Sequence, residues 1–176
     1  MSVEISSTFS FSLCPLSDCS KDGQVKMTES SLPVYNFDGI KKRYGRKRTI
    51  PLLPSSADAL YLSPGGAWYF IEFKNGKIDE VDVTKKIYDS LVILSDWHEG
   101  CIADIDFSRN NIIFILVYNP TKYRSSQESS SRNMLYQHLE QQSDTRKVLF
   151  NLDRYVGYIF KNVVTCTPSE LEEILV

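Results

Sequence analysis

Three stretches of the chain have the apolar pattern of β-strands. Asp58–Leu62 and Ala67–Lys74 are rich in aromatic and aliphatic residues, and a Ser-Pro-Gly-Gly sequence separates them. This arrangement is typical of a β-hairpin. Residues 110–118 form a nearly continuous apolar run that ends in Asn-Pro. Such a run predicts a central strand that is covered on both faces.

A helical period follows the hairpin. Between Asp79 and Trp97, apolar residues recur at spacings of three and four and therefore share one face of a predicted helix. They are Val83, Ile87, Leu91 and Leu94. Asp79 and Asp82 are both suited to cap the start of this helix, because a carboxylate accepts hydrogen bonds from the free N–H groups of a first turn.

The last third of the chain alternates further elements. We predict a helix near 131–143, a short helical or strand-like segment at 147–156 and a strand at Gly157–Cys166. The Ser-rich residues 125–131 indicate a loop or a frayed helix start. Residues 167–170 (Thr-Pro-Ser-Glu) have the pattern of a capping box and predict a terminal helix.

The first third is less regular. Residues 1–33 are rich in Ser and turn formers, and we interpret them as an irregular N-terminal arm with a short strand at Thr8–Leu13. Residues 35–48 form a basic segment interrupted by glycine. We expect residues 34–176 to form a single α/β domain, with a central mixed β-sheet flanked by helices.

Composition narrows the class of protein. The chain has 176 residues and a net charge of −2, which argues against nucleic-acid binding through overall charge alone. It has no apolar stretch long enough for a membrane helix and no basic, apolar start typical of a signal peptide. The four cysteines match no zinc-binding spacing, so we expect free thiols. These features favour a cytoplasmic protein.

The hairpin has a consequence for two acidic residues. If Pro64-Gly65-Gly66 forms a three-residue loop, Asp58 falls opposite Glu72 with Cβ atoms about 5 Å apart. Lys74 lies on the same face as Glu72, since side chains alternate along a strand. A four-residue loop would instead send Asp58 to the other face.

Two carboxylates in this position repel each other, and a divalent cation between them would remove the conflict. The alternative is an exposed strand face on which acids and lysines form salt bridges. A rival hairpin at Asn75-Gly76 would place Lys74 opposite Lys77 and Glu72 opposite Asp79. Both are like-charge pairs, so we expect the strand to end at Lys74 and continue into the helix.

Asp58, then Glu72-Phe73-Lys74 in an aromatic strand, then a helix and an apolar strand resemble the PD-(D/E)XK nuclease superfamily. The resemblance covers roughly residues 35–120 and implies a restriction-endonuclease-like fold. It implies that Asp58, Glu72 and the backbone carbonyl of Phe73 bind Mg²⁺ (or Mn²⁺), and that Lys74 positions the attacking water. Upstream, Glu29 and Asp38 lie outside any predicted helix.

Basic residues near the motif suggest nucleic-acid contacts. Lys85 and Lys86 open the predicted helix, where the resemblance places phosphate-binding residues, and solvated lysines are the alternative. A second cluster includes Lys41, Lys42, Arg43 and Arg46, with Tyr44 among them. It is suited to follow a phosphate backbone while the tyrosine stacks on a base, and a charged loop without a specific role is the alternative.

Two functions follow from these observations. The first is a Mg²⁺-dependent nuclease that hydrolyses phosphodiester bonds of DNA or RNA. The second is a catalytically inactive protein of the same fold that binds a protein partner, which the acidic net charge and the many Tyr and Phe residues favour. A homodimer is an expectation by analogy with nucleases that cut two strands.

Overall fold

The computed structural model describes residues 11–97, 104–127 and 148–175 of the chain. Its first half contains β1 (Cys14–Pro15), α1 (Leu16–Cys19), β2 (Lys21–Asp22), β3 (Val25–Lys26), β4 (Pro33–Asn36), α2 (Phe37–Arg48), β5 (Ala59–Leu62) and β6 (Trp68–Lys74). Its second half contains α3 (Glu80–Trp97), α4 (Ile105–Asn111), β7 (Ile112–Tyr118), α5 (Pro120–Gln127), a 3-10 helix (Leu152–Tyr155), β8 (Asn162–Cys166) and α6 (Leu171–Leu175).

Six strands form one mixed sheet in the order β1-β4-β5-β6-β7-β8. The pairs from β1 to β6 are antiparallel, whereas β6, β7 and β8 run parallel. Parallel neighbours need a crossover connection, and α3 lies in the connection between β6 and β7. The predicted α/β class, with a mixed central sheet flanked by helices, is confirmed.

The sheet separates two apolar clusters. One contains buried residues of α2 and α3 together with alternate residues of β5, β6 and β7. The other contains residues of α1 and α6 and the intervening positions of the same strands. This alternation places Phe70 in the first cluster and both Ile71 and Phe73 in the second. Glu72 therefore faces α2 and α3.

The hairpin has the predicted register. Leu62 pairs with Trp68 and Ala59 with Ile71, and Ser63 N donates to Ala67 O over 2.9 Å. The loop is three residues long, and its last residue, Gly66, has φ +84°, a conformation that glycine adopts without strain.

The crossover helix and central strand agree with their predictions. Asp79 Oδ1 accepts a hydrogen bond from Val81 N at the start of α3, so Asp79 rather than Asp82 caps this helix. β6 ends at Lys74 without a second hairpin. β7 begins at Ile112 because the two preceding asparagines belong to α4, a helix that the apolar pattern did not predict.

The basic segment 35–48 differs from its prediction, since most of it is the helix α2. Asn36 caps the helix start by accepting a hydrogen bond from Gly39 N over 3.0 Å. Gly45 lies where a Cβ atom would come within 2.1 Å of the Leu53 side chain. Glycine at position 45 therefore allows close packing against Leu53 and does not interrupt the helix.

The N-terminal segment is more regular than predicted. Residues within 14–26 form β1, α1, β2 and β3, and Leu16, Cys19 and Met27 are buried in the second apolar cluster. Burial of these side chains stabilises short elements that local sequence signals alone do not predict. Residues 11–13 have no regular structure, and the remainder of the predicted strand at Thr8–Leu13 lies outside the described residues.

The C-terminal elements agree in part. β8 begins at Asn162, later than predicted, and Glu170 Oε2 accepts a hydrogen bond from Thr167 N over 2.7 Å before α6. The 3-10 helix occupies part of 147–156. Residues 125–127 end α5, whereas 128–131 and the helix expected near 131–143 lie outside the described residues.

No helix in the described ranges has the length and apolar character needed to span a bilayer. In those ranges, Cys14 and Cys19 are free thiols, as predicted.

Candidate functional site

Asp58 is held rigidly just before β5. Its backbone N donates to Ile71 O over 3.0 Å, and its backbone O accepts from Phe37 N over 3.1 Å. Its side-chain Oδ2 accepts from Phe73 N over 2.7 Å. In an extended strand the N–H and C=O of one residue point to the same edge, so the Phe73 carbonyl lies at the β5 edge of β6.

Helix α3 fixes the segment that leads into Asp58. Asp89 Oδ2 accepts from Ser55 N over 2.7 Å, and Ser90 Oγ accepts from Ala57 N over 2.8 Å. Both acceptors lie on the face of α3 that packs against the sheet. The position of Asp58 therefore depends on α3 as well as on the hairpin.

Glu72 is the most deeply buried charged group among the described residues, with an exposed fraction of 0%. Lys86 Nζ lies 2.5 Å from Glu72 Oε1 and 3.7 Å from Asp58 Oδ1. The two acids therefore converge on a single ammonium group. Glu72 Oε2 is buried without a hydrogen-bond partner within the described part of the chain.

Lys74 joins the same group from the end of β6. Its Nζ lies 2.5 Å from Asp82 Oδ2 and 3.5 Å from Glu72 Oε1. The structure thus brings Asp58, Glu72 and Lys74 together. The paired residues of the hairpin have the predicted register, but they begin at Ala59, and Asp58 just before them donates its N–H to Ile71 O. The structure adds two residues, Asp82 and Lys86, that stand one helical turn apart on α3.

Burial controls the protonation of the two acids. Together with the charge of Asp58, and against the opposing influence of Lys86 and Lys74, it raises the pKa of Glu72 to about 8. Burial also raises the pKa of Asp58 to about 6, against the influence of Lys86 and the hydrogen bond from Phe73 N. Raised carboxyl pKa values in a cluster of charges are typical of functional sites.

A third acid lies nearby. Asp38 is in the first turn of α2, where its Oδ1 accepts from Ser56 Oγ over 2.9 Å and pairs with Lys41. Its charge raises the pKa of Asp58. The sequence placed Asp38 outside a helix, and the Asn36 cap was the signal that would have corrected this. Glu29 instead pairs with Lys26 and is largely exposed.

Hydrogen bonds of two asparagine residues connect the strand ends beside the site. Asn75 N donates to Asp22 Oδ2 over 2.6 Å, and Asn119 Nδ2 donates to Asn75 Oδ1 over 2.9 Å. Asn119 N also donates to Lys74 O over 3.1 Å. These bonds link the N-terminal β2 strand, the end of β6 and the end of β7.

The residues predicted to contact nucleic acid differ in exposure. Lys85 is exposed on α3, whereas Lys86 turns inward to the carboxylates. Tyr44 is buried and donates to Asp96 Oδ2 over 2.8 Å, so the prediction that it stacks on a base is wrong.

Helix α2 presents an exposed basic surface next to the acidic site. Lys42, Arg43 and Arg46 are exposed, while Lys41 is half-buried beside Asp38. The Arg43 guanidinium lies 5.0 Å above the ring of Phe11. The basic cluster and the carboxylates thus share one face of the sheet.

Across the described ranges, no group of three or more His, Cys, Asp or Glu side chains is arranged to hold a metal ion. The candidate centre consists of two carboxylates and a backbone carbonyl. Mg²⁺ needs only one or two carboxylates from a protein, because it retains several waters. The chemistry of these oxygen donors, including Glu72 Oε2, which has no hydrogen-bond partner among the described residues, is compatible with such an ion.

Comparisons with known proteins find no match for this chain among protein-family models, curated proteins or solved structures. Its function must therefore be inferred from the chemistry of the site.

Proposed function

We propose that this protein is a Mg²⁺-dependent nuclease that hydrolyses phosphodiester bonds of DNA or RNA. The observation that carries the proposal is the convergence of Asp58 and Glu72 on one cation position, with one oxygen of Glu72 buried and without a hydrogen-bond partner among the residues that the structure describes. Burying such a carboxylate destabilises the fold, so its presence favours a functional role.

Asp58, Glu72 and the Phe73 carbonyl would hold the metal. When bound, Mg²⁺ would polarise the phosphodiester and lower the pKa of a coordinated water. The chain order is β5, β6, α3, α4, β7, which follows the strand, strand, helix, strand order of the PD-(D/E)XK resemblance with α4 as an addition before β7. We therefore infer a restriction-endonuclease-like fold, with Glu72 and Lys74 in the E-x-K positions.

Lys74 supplies positive charge next to the carboxylates. Its ammonium is held by Asp82, and that hydrogen bond together with the charge of Glu72 raises the pKa of Lys74. The lysine therefore stays protonated at neutral pH. In this state it can orient a water molecule and stabilise the negative charge that develops on the phosphate.

The exposed basic residues of α2 would bind the nucleic-acid backbone. Lys42, Arg43 and Arg46 give this helix a local positive surface although the whole chain is acidic. Phosphate contacts of this kind position a substrate without reading its sequence. We infer binding that weakens as the salt concentration rises.

The test is hydrolysis of single- and double-stranded DNA and RNA by purified protein with Mg²⁺ or Mn²⁺. We expect metal-dependent cleavage that falls on the order of 100-fold or more in Asp58→Asn and Glu72→Gln, because each change removes a carboxylate from the candidate centre. Glu29→Gln is the matched control and should cleave like the unaltered protein. Glu29 is exposed and pairs with Lys26, which is not part of the site.

Cleavage that persists in both site variants would come from a contaminant and would contradict the proposal. So would intact substrates of all four kinds, if the protein also fails to bind Mg²⁺ in calorimetry.

A second candidate is a nuclease-fold protein that binds a protein partner and lacks catalysis. Lys86 already pairs with both carboxylates, which favours this alternative. A groove of about 510 Å³ between α3 and α4 also exposes Tyr88, Val92 and Ile105. A partner that binds Asp58→Asn and the unaltered protein equally well, without any cleavage, would support it.

A further inference from the structure

Lys86 occupies the position in which a cation between Asp58 and Glu72 would lie. Its Nζ is 2.5 Å from Glu72 Oε1 and 3.7 Å from Asp58 Oδ1, and its side chain is only 19% exposed. The neighbouring Lys74 differs, because its shorter contact is with Asp82 at the edge of the site. Lys86 is therefore the internal counter-ion of the carboxylate pair.

A divalent ion and this ammonium group compete for the same oxygens. Both are positive, and at a separation of about 4 Å their repulsion is large in a partly buried site. Lys86 has a flexible four-carbon stem, and it extends from the first half of α3, next to exposed Lys85. Its stem can carry the ammonium group outward without a change in the backbone.

We propose that Lys86 is a tethered competitor of the metal ion, which leaves the carboxylates when Mg²⁺ binds and then contacts a phosphate of the nucleic acid. This inference rests on the proposed function and adds a regulatory step to the same site. In the free protein Lys86 pairs with both acids. In the complex it becomes part of the substrate-binding surface.

The exchange couples two binding events. Mg²⁺ frees Lys86 for the nucleic acid, and a bound phosphate holds Lys86 away from the carboxylates. Each ligand must therefore increase the affinity for the other by the same factor. Metal-free protein should bind nucleic acid through α2 but more weakly.

The test is calorimetric titration with Mg²⁺ alone, in mildly alkaline buffer so that protons compete little for Glu72. We expect Lys86→Met to bind Mg²⁺ on the order of 10-fold more tightly than the unaltered protein, within the usual range of coupling between sites. Lys85→Met is the matched control. It removes the same charge one residue away from an exposed position and should change the affinity by less than about twofold.

Lys86→Arg provides a second variant that keeps the positive charge. We expect its Mg²⁺ affinity to stay near that of the unaltered protein, even if Lys86→Met unfolds. Binding of a non-hydrolysable oligonucleotide analogue gives an independent readout. Mg²⁺ should strengthen this binding in the unaltered protein, and the gain should shrink in Lys86→Met.

Equal Mg²⁺ affinities in the unaltered protein and Lys86→Met would overturn the inference, as would an equal gain in Lys85→Met. For a misfolded Lys86→Met, a clear gain in affinity for Lys86→Arg would overturn it. Cleavage without any Lys86 effect would leave the nuclease proposal intact, whereas a Lys86 effect without cleavage would contradict only the nuclease proposal.

Discussion

The two faces of β6 are buried to a similar extent but differ in chemistry. On one face Ile71 and Phe73 pack among apolar side chains, with exposed fractions of 0% and 2%. On the other face Phe70 is followed by Glu72, which is fully buried among lysines and acids. The first face is explained by folding alone. The second carries a charged group that folding does not require, and this difference locates the candidate function.

The largest effect on stability is expected from the apolar face. Phe73→Ala should lower the free energy of unfolding by about 3–5 kcal/mol, because it removes a large buried side chain and leaves a cavity. Denaturant unfolding measures the change. A loss below about 1 kcal/mol would mean that this face is not closely packed.

A smaller effect of opposite character is expected from the charged face. Replacing the ion pair as a whole, with Glu72→Met and Lys86→Met in one protein, should lower the free energy of unfolding by less than about 1 kcal/mol or raise it, because apolar side chains of similar size avoid the desolvation of a buried ion pair. The same unfolding measurement decides this. If this double variant is as damaging as Phe73→Ala, the ion pair serves the fold and the comparison between the two faces fails.

The smallest effect concerns pH. The pKa of Glu72 rises to about 8 and that of Asp58 to about 6, so the folded protein holds protons that the unfolded chain releases near pH 4. The stability from these groups is fully present below about pH 4 and is lost as the pH rises through about 8.

Glu72→Gln cannot titrate, so its stability should vary less than that of the unaltered protein between about pH 5 and 8. As the pH rises through this range, the unaltered protein should lose more stability than Glu72→Gln, because only the unaltered protein must ionise a buried carboxyl group. Thermal unfolding across this pH range tests the sign. Equal slopes for the two proteins would show that Glu72 is ionised in both states.

The sequence was sufficient to predict the hairpin that aligns the acids. Pro64-Gly65-Gly66 favours one loop length, and strand alternation then determines which side chains share a face. Helix α2 was missed because Gly39 and Gly45 resemble chain breakers. Phe37, Ile40 and Tyr44 nevertheless lie at helical spacing after the Asn36 cap.

The inward orientation of the Lys86 side chain could not be predicted from the local sequence. Lys85 and Lys86 are neighbouring lysines, and only the packing of α3 on the sheet decides which one meets Glu72. The same applies to Asp38, whose proximity to Asp58 depends on α2 lying against the same face. Contacts between distant elements follow from the fold as a whole, so a one-dimensional pattern does not contain them directly.

The bond from Asn75 N to Asp22 Oδ2 bears on the design of shortened proteins. Asp22 belongs to the small β2–β3 ribbon, yet it anchors the backbone immediately after Lys74. A protein that lacks the residues up to and including Asp22 would keep every side chain of the candidate site. It would lose the hydrogen bond that holds the backbone where β6 ends and the chain continues to α3. Shortening this end to aid crystallisation would therefore make Lys74, which the proposed chemistry uses, less well positioned.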